Sequence, residues 1–395
     1  MMISIFIIIS NILFFISCSP IDTAVNELNQ LQKSPVGKVA VENKPFKVTL
    51  ENANLVPNWP SSKLLDYLGQ VSGLSFCPKG YLYIFHRADV EMDERSFNNK
   101  NQYQKLSDGP IKESTIIKIN NDIDNAKVVG EFGSNLFYLP HGIFADKHHM
   151  IATDLARHQV LRIPHNSNKP DLILGEIFTP GNDANHFCKP THAVAAEDGT
   201  IFVADGYCNS RIVKFDKHGK FIGEFGNAKD KSRLSIPHHL VLIESKDLIC
   251  AADRENMRVQ CYSAGLKVTS KSGKLIKTIK DEKFGPVYAV GFNKLNNLMY
   301  VVSDMVDDTD RSRVFIYNWE LDMVIGVMDY SGTNGFGMAH TIDVCPRGHC
   351  VAIGSLTKEC PSDLINCLER GNDEEDFQLR NVWLYQLLDA KLDLA

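Results

Sequence analysis

The chain predicts an all-β fold, a six-bladed β-propeller, and three observations carry that expectation. A short phrase recurs six times. Its instances are Gln70–Leu74, Leu139–Ile143, Lys189–Val194, Ile236–Leu240, Gly285–Val290 and Met338–Ile342. At one fixed slot they read Ser72, His141, Thr191, His238, Val287 and His340, spaced 69, 50, 47, 49 and 53 residues apart. A period of roughly 40–50 residues is that of propeller blades. Each period also reads strand–turn–strand, and no long helical pattern competes. A sandwich of similar short strands is the competing architecture, and the regular period disfavours it.

Taken in order, residues 1–18 read as a signal peptide. A hydrophobic stretch from Ile3 to Ile16 ends in small residues, Ser17-Cys18-Ser19, and is too short to span a bilayer comfortably. It lacks a basic start, so a signal anchor and a lipid on Cys18 are the alternatives. Residues 19–48 are polar and read as a linker or propeptide. Residues 49–390 form the propeller. Within it, Ile201–Asp205 is an apolar strand closed by Gly206. Arg211–Phe215 alternates, Asp216–Gly219 turns, and Lys220–Phe225 alternates again. The same pattern runs through Leu248–Tyr262 and Leu298–Tyr317. Residues 355–380 read as an acidic insertion in the last blade, before a final strand Asn381–Tyr385. No later segment is long and apolar enough to cross a membrane.

Every second slot carries an imidazole. If the repeats are arranged radially, His141, His238 and His340 converge on one axis about 120° apart. Three neutral imidazoles around a point make a zinc site with an open position. The signal is phase, since Pro-His-aliphatic is no zinc motif by itself. His86, His148, His149, His186, His218 and His349 read as ordinary packed or surface side chains. His192 and His239 sit one residue past the slot, and strand alternation is expected to turn them away from the axis as structural residues.

The net charge of −6 with mixed signs leaves no nucleic-acid footprint. Ten cysteines suit an oxidising compartment, and removal of residues 1–18 leaves nine, so at least one thiol is unpaired or intermolecular. Cys188 and Cys208 fall in one blade, and a bridge between them would pin Tyr207 close to the axial face. A tyrosine there is a candidate general base. Cys250 and Cys261 lie on the two strands of one hairpin and read as a staple. Arg87, Tyr207 and Arg254 follow equivalent strands of three blades. Two guanidiniums beside a metal suggest an anionic substrate group such as a carboxylate.

Several of these segments together resemble the peptidyl-α-hydroxyglycine α-amidating lyases. They are Gly69–Gly73, Ile84–Arg87, Asn135–Gly142, Asn185–Cys188, Asp205–Val213 and Ala252–Asn256. The likeness runs from about residue 50 to 345. It implies a six-bladed propeller of NHL-type repeats with zinc on the axis, held by His141, His238 and His340. It implies Tyr207 and Arg87 as catalytic residues, and Arg87, Tyr207 and Arg254 as substrate-binding ones. The implied disulfides are Cys188–Cys208 and Cys250–Cys261. The implied reaction splits a peptidyl-α-hydroxyglycine into a peptide amide and glyoxylate, in maturation of peptide hormones or neuropeptides. Zinc would bind and acidify the α-hydroxyl, Tyr207 would take its proton, and an arginine would hold the carboxylate.

The chain departs from the family in places. The family's structural calcium would use the backbone carbonyls of Leu74 and Ile143, and an aspartate where this chain has Thr341. Losing the only anionic ligand weakens a hard-cation site, so calcium is not expected to bind well. Asp343 is close in sequence, but its strand phase does not obviously substitute. Cys345, Cys350, Cys360 and Cys367 are not family cysteines, and the pairing of these four and of Cys77 is left open. The propeller fills the mature chain, so a monofunctional, monomeric lyase is expected. It would be secreted or luminal and supplied with substrate by a separate monooxygenase. The rival reading is a non-catalytic NHL-repeat platform that binds proteins, which needs no converging histidines. A metal-dependent hydrolase or lactonase would need axial carboxylates, and the slots hold none.

Overall fold

A computed structural model describes residues 8–9, 12–13, 53–56, 59–120, 122, 126–267, 271–305, 312–328, 336–359 and 380–387. The chain divides into two units, 1–45 and 46–395. In the first, Ile8–Ile9 pairs antiparallel with Ile12–Leu13. The signal-peptide reading otherwise lies outside the described residues, as does the whole linker or propeptide of residues 19–48. No helix among the described residues is long and apolar enough to cross a membrane.

The second unit is a six-bladed β-propeller, each blade a four-stranded antiparallel sheet. Blade one comprises Val71–Phe76, Leu82–His86, Ile116–Ile119 and Val128–Phe132. Blade two comprises Pro140–Ala145, His149–Asp154, Gln159–Pro164 and Leu172–Leu174, and blade three His192–Ala195, Ile201–Asp205, Arg211–Phe215 and Phe221–Phe225. Blade four holds Pro237–Ile243, Leu248–Asp253, Arg258–Ser263 and Leu275–Ile279, and blade five Phe284–Asn293, Leu298–Met305, Ser312–Asn318 and Met323–Met328. Blade six begins with Ala339–Val344, Cys350–Glu359 and Arg380–Leu387. Its outermost strand comes from the other end of the chain. Ala53–Leu55 pairs antiparallel with Arg380–Leu387, Leu55 opposite Tyr385. The innermost strand of each blade packs on the next, and Ala339–Val344 packs on Val71–Phe76 to close the ring. Full closure leaves no blade with an uncovered inner edge.

The core is a set of apolar layers between adjacent blades. One such layer joins Val194, Phe202, Leu240, Ile249 and Tyr262 across blades three and four. Middle strands are buried on both faces, which explains runs such as Ile201–Asp205. Outermost strands alternate, as in Phe221–Phe225, with Ile222 exposed.

Two sequence expectations change. The slot spacing of 69 residues has a cause: residues 87–115 form a long excursion between the second and third strands of blade one. The segment read as an insertion from 355 begins as strand, because Cys350–Glu359 runs on and Glu359 pairs with Arg380. The rest of it, 360–379, lies outside the described residues, and with it Cys360 and Cys367.

Candidate active site

The slot residue coincides with a break in strand register. In blades one, two, four and six the pairing of innermost and second strands shifts between Val71 and Gly73, Pro140 and Ile143, Pro237 and Leu240, and Ala339 and Thr341. In blade five a shift falls between Val287 and Ala289. An extra residue on one strand bends it and re-aims its side chains. A carboxylate at the end of the second strand fixes the approach to three slots. Asp154 accepts the Tyr138 N–H at 2.6 Å, Asp205 the Cys188 N–H at 2.8 Å, and Asp253 the Ser235 N–H at 2.6 Å. Each donor lies three residues before its slot. Sequence reasoning missed these aspartates, although their recurrence at strand ends was visible.

His141, His238 and His340 converge. One ligand atom from each lies within 4.8 Å of the others, and all three side chains are buried. Each donates its Nδ1–H to a backbone carbonyl of another blade. His141 bonds Thr191 O at 2.6 Å, His238 bonds Tyr288 O at 2.7 Å, and His340 bonds Ser72 O at 2.8 Å. These bonds fix the tautomer and leave each Nε2 with a lone pair toward the centre. His340 Nε2 has no hydrogen-bond partner despite full burial. Burial, then the charges of His340 and His238, hold His141 well below the usual imidazole range. Burial likewise depresses His238 and pushes His340 down to about 3. Three neutral imidazoles with converging lone pairs, one of them orphaned, fit a transition-metal ion with a vacant coordination position.

Tyr207 reaches the same centre. Its hydroxyl lies 3.2 Å from His141 Nε2 and 3.4 Å from His238 Nε2. It follows strand Ile201–Asp205, and the adjacent Cys208 is bridged to Cys188. It packs against the apolar cluster of Tyr103, Leu139, Leu155 and Ala156. Arg254 opens a 3₁₀ turn after the equivalent strand of blade four, and its guanidinium lies 5.4 Å from the Tyr207 ring and 5.5 Å from that of Tyr288. Arg87 is buried, its Nε on Pro140 O and its Nη1 on Gln70 Oε1, both at 2.9 Å. Among the described residues its Nη2 has no protein acceptor. Tyr288 and Gln70 are site residues the sequence reading did not name. Tyr288 sits beside Val287, the slot without a polar side chain, and only the register shift brings it to the axis.

Cys250 and Cys261 face each other across their hairpin and are bonded. Cys345 is bonded to Cys350, and Cys77 is a buried free thiol. His192 and His239 require correction. Both line a central cavity of about 1050 Å³ below the histidine cluster. Their rings stack 3.9 Å apart. At His239 the register shift after Pro237 overrides the expected alternation.

No protein-family model matches the chain. Named relatives do. It is 44% identical over 243 residues to the peptidyl-glycine alpha-amidating monooxygenase B of Xenopus laevis, a match covering 60% of this chain and 27% of that one. It is 41% identical over 237 residues to the peptidyl-alpha-hydroxyglycine alpha-amidating lyase 2 of Drosophila melanogaster, covering 60% and 57%. The chain thus spans about a quarter of the first and just over half of the second. A third relative, named the probable peptidyl-alpha-hydroxyglycine alpha-amidating lyase of Caenorhabditis elegans, is 40% identical over 257 residues, covering 64% of this chain and 69% of that one. With this propeller and these identities, the chain belongs to the peptidyl-α-hydroxyglycine α-amidating lyase family.

Proposed function

We propose that the protein is a zinc-dependent lyase that cleaves a peptidyl-α-hydroxyglycine to a C-terminally amidated peptide and glyoxylate. The observation that carries this reading is the convergence of three Nε2 lone pairs with the Tyr207 hydroxyl at 3.2 and 3.4 Å from two of them. His141, His238 and His340 would hold the ion, which supplies Lewis acidity to the substrate's α-hydroxyl oxygen.

The chain's own groups do the rest. Tyr207 takes the hydroxyl proton. The released electron pair closes the carbonyl of glyoxylate as the bond from carbon to the amide nitrogen breaks. That nitrogen takes a proton back from Tyr207, so the side chain ends as it began. The carboxylate beside the reacting carbon needs a cation. Arg87 is prepared for it, because two of its nitrogens are tied to Pro140 and Gln70 and the guanidinium is held still. Arg254 lies over Tyr207 and adds positive charge on the other side.

The hydroxyglycine substrate must come from a hydroxylating activity acting on glycine-extended peptides. A secretory-pathway setting agrees with the leader-like start of the sequence and with three disulfides. The test is incubation of purified protein with an α-hydroxyglycine-extended peptide while glyoxylate release is followed. Wild type should retain about one zinc per chain and release glyoxylate, and His238→Ala should lose most of both. Full activity in a metal-free preparation overturns the metal assignment. Absence of glyoxylate from a zinc-loaded protein overturns the activity.

A further inference from the structure

Below the histidine cluster the channel is held by protein groups where the family resemblance implies calcium. The two carbonyl positions for such an ion are Leu74 and Ile143, and the acidic position is Thr341. The Thr341 hydroxyl accepts the Leu74 N–H at 3.1 Å, tying blade six to blade one. The Ile143 carbonyl is engaged by His192 Nε2 at 3.2 Å. The tautomer follows from the other ring nitrogen. Leu240 N–H points at His192 Nδ1 at 3.4 Å, so Nδ1 accepts and Nε2 carries the hydrogen it donates to Ile143. His239 covers the His192 ring, the two centroids 3.9 Å apart. One imidazole thereby connects blades two, three and four.

A hard divalent cation wants six to eight oxygen ligands and usually several carboxylates. None of the three positions supplies one. The nearest carboxylate in sequence, Asp343, lines the same cavity, but its two oxygens already accept the Phe76 N–H at 2.7 Å and the Val344 N–H at 2.8 Å. Among the described residues, only the three axial histidines and the group Cys345, His349 and Cys350 bring three His, Cys, Asp or Glu side chains within 4.8 Å of one another, so no cluster of carboxylates stands in for the missing aspartate. The approach of His192 to blade two is also built in. A Cβ on Gly142 would lie 2.7 Å from His192 Cδ2 and 2.5 Å from Thr191 O, so the imidazole occupies space that only glycine leaves open.

We propose that the His192–His239 pair takes the place of a structural calcium, and that this propeller ties its blades together along the channel without that ion. The imidazole N–H satisfies one of the two carbonyls a cation would have bound, and the stack ties blades three and four to blade two, while the Thr341–Leu74 bond ties blade six to blade one. This rests on the family reading only for the identity of the ion replaced. Its tests read calcium content and melting temperature, which do not depend on lyase activity.

Zinc-loaded wild type is dialysed against calcium, analysed for bound metals, and melted with calcium from zero to on the order of 1 mM, the weakest range of such sites. The expected result is no retained calcium and an unmoved melting temperature. About one calcium retained per chain, or a melting temperature that climbs with calcium, overturns the proposal and points to Asp343 as the missing ligand. His192→Ala should melt several degrees lower, again without response to calcium, and His192→Gln, which restores a side-chain N–H, should recover part of the loss. An unchanged His192→Ala melting temperature overturns the bridging role. The double variant His192→Ala with Thr341→Asp frees the Ile143 carbonyl and supplies a carboxylate, and should gain a calcium-dependent rise. If that variant does not fold, the wild-type measurements still decide.

Discussion

Tyr207 is held from three sides. It packs against the apolar cluster that holds Leu139 and Leu155, Arg254 lies over its ring, and its hydroxyl points between two imidazoles. Only the hydroxyl is needed for proton transfer, whereas ring packing and metal retention rest on atoms that phenylalanine keeps. Tyr207→Phe should therefore retain zinc and melt close to wild type while kcat falls roughly 10²-fold or more, the usual scale for a positioned base. Normal turnover by this variant would remove Tyr207 from the proton path. The three histidines behave differently. Each donates one ring nitrogen to a carbonyl of another blade and aims the other at the centre, so replacing any of them should remove the proposed ion and a tie between blades together.

At the scale of strands and loops, the same reasoning separates the two bridges that flank the site. Cys188–Cys208 closes a separation of 20 residues and Cys250–Cys261 one of 11, and loop entropy assigns roughly 3 kcal/mol to each. Cys208 neighbours Tyr207 in a loop, so opening its bridge loosens the proposed base. Cys250 and Cys261 sit directly opposite in strands that are already paired, so opening that bridge loosens little near the axis. Cys208→Ser should cost far more activity than its melting temperature explains, while activity of Cys261→Ser should track stability. Equal losses at matched stability would deny Cys208 its special role. This scale also shows what the sequence could and could not reveal. The blade period and the three axial histidines were legible because related phrases at a near-regular spacing fold to equivalent places. His239 was misread because alternation was applied across a register shift that leaves no mark in the residue types. Tyr288 was missed because the search followed the slot itself, and the same shift moved the important side chain one residue on. The closing strand Ala53–Leu55 was hidden because only three residues make it, and their partner lies at the far end of the chain.

For the whole molecule, the ring geometry concentrates imidazoles where water is excluded, and stability should therefore fall in acid. His158 and His192 illustrate this away from the metal ligands. Both are buried, and burial pushes each down to about 4. In the unfolded chain a histidine titrates near 6.5. The folded value is depressed, so the contribution to stability is complete above about pH 7. It is lost as pH falls toward 4, because the unfolded state takes up protons that the folded state refuses. Between pH 7 and pH 5 each such imidazole should account for about 2 kcal/mol of lost stability. His158 offers the cleaner test. It accepts the Lys189 N–H at 2.9 Å, and a glutamine side-chain oxygen can accept that bond without titrating. Urea unfolding of zinc-loaded wild type and His158→Gln at the two pH values should show the variant losing about 2 kcal/mol less than wild type on acidification. Both proteins carry the same histidine cluster, so acid release of a bound ion would affect them alike and drop out of the comparison. Parallel pH dependence in the two would mean that His158 titrates in the fold much as it does in the unfolded chain, and that its burial costs less than the geometry implies.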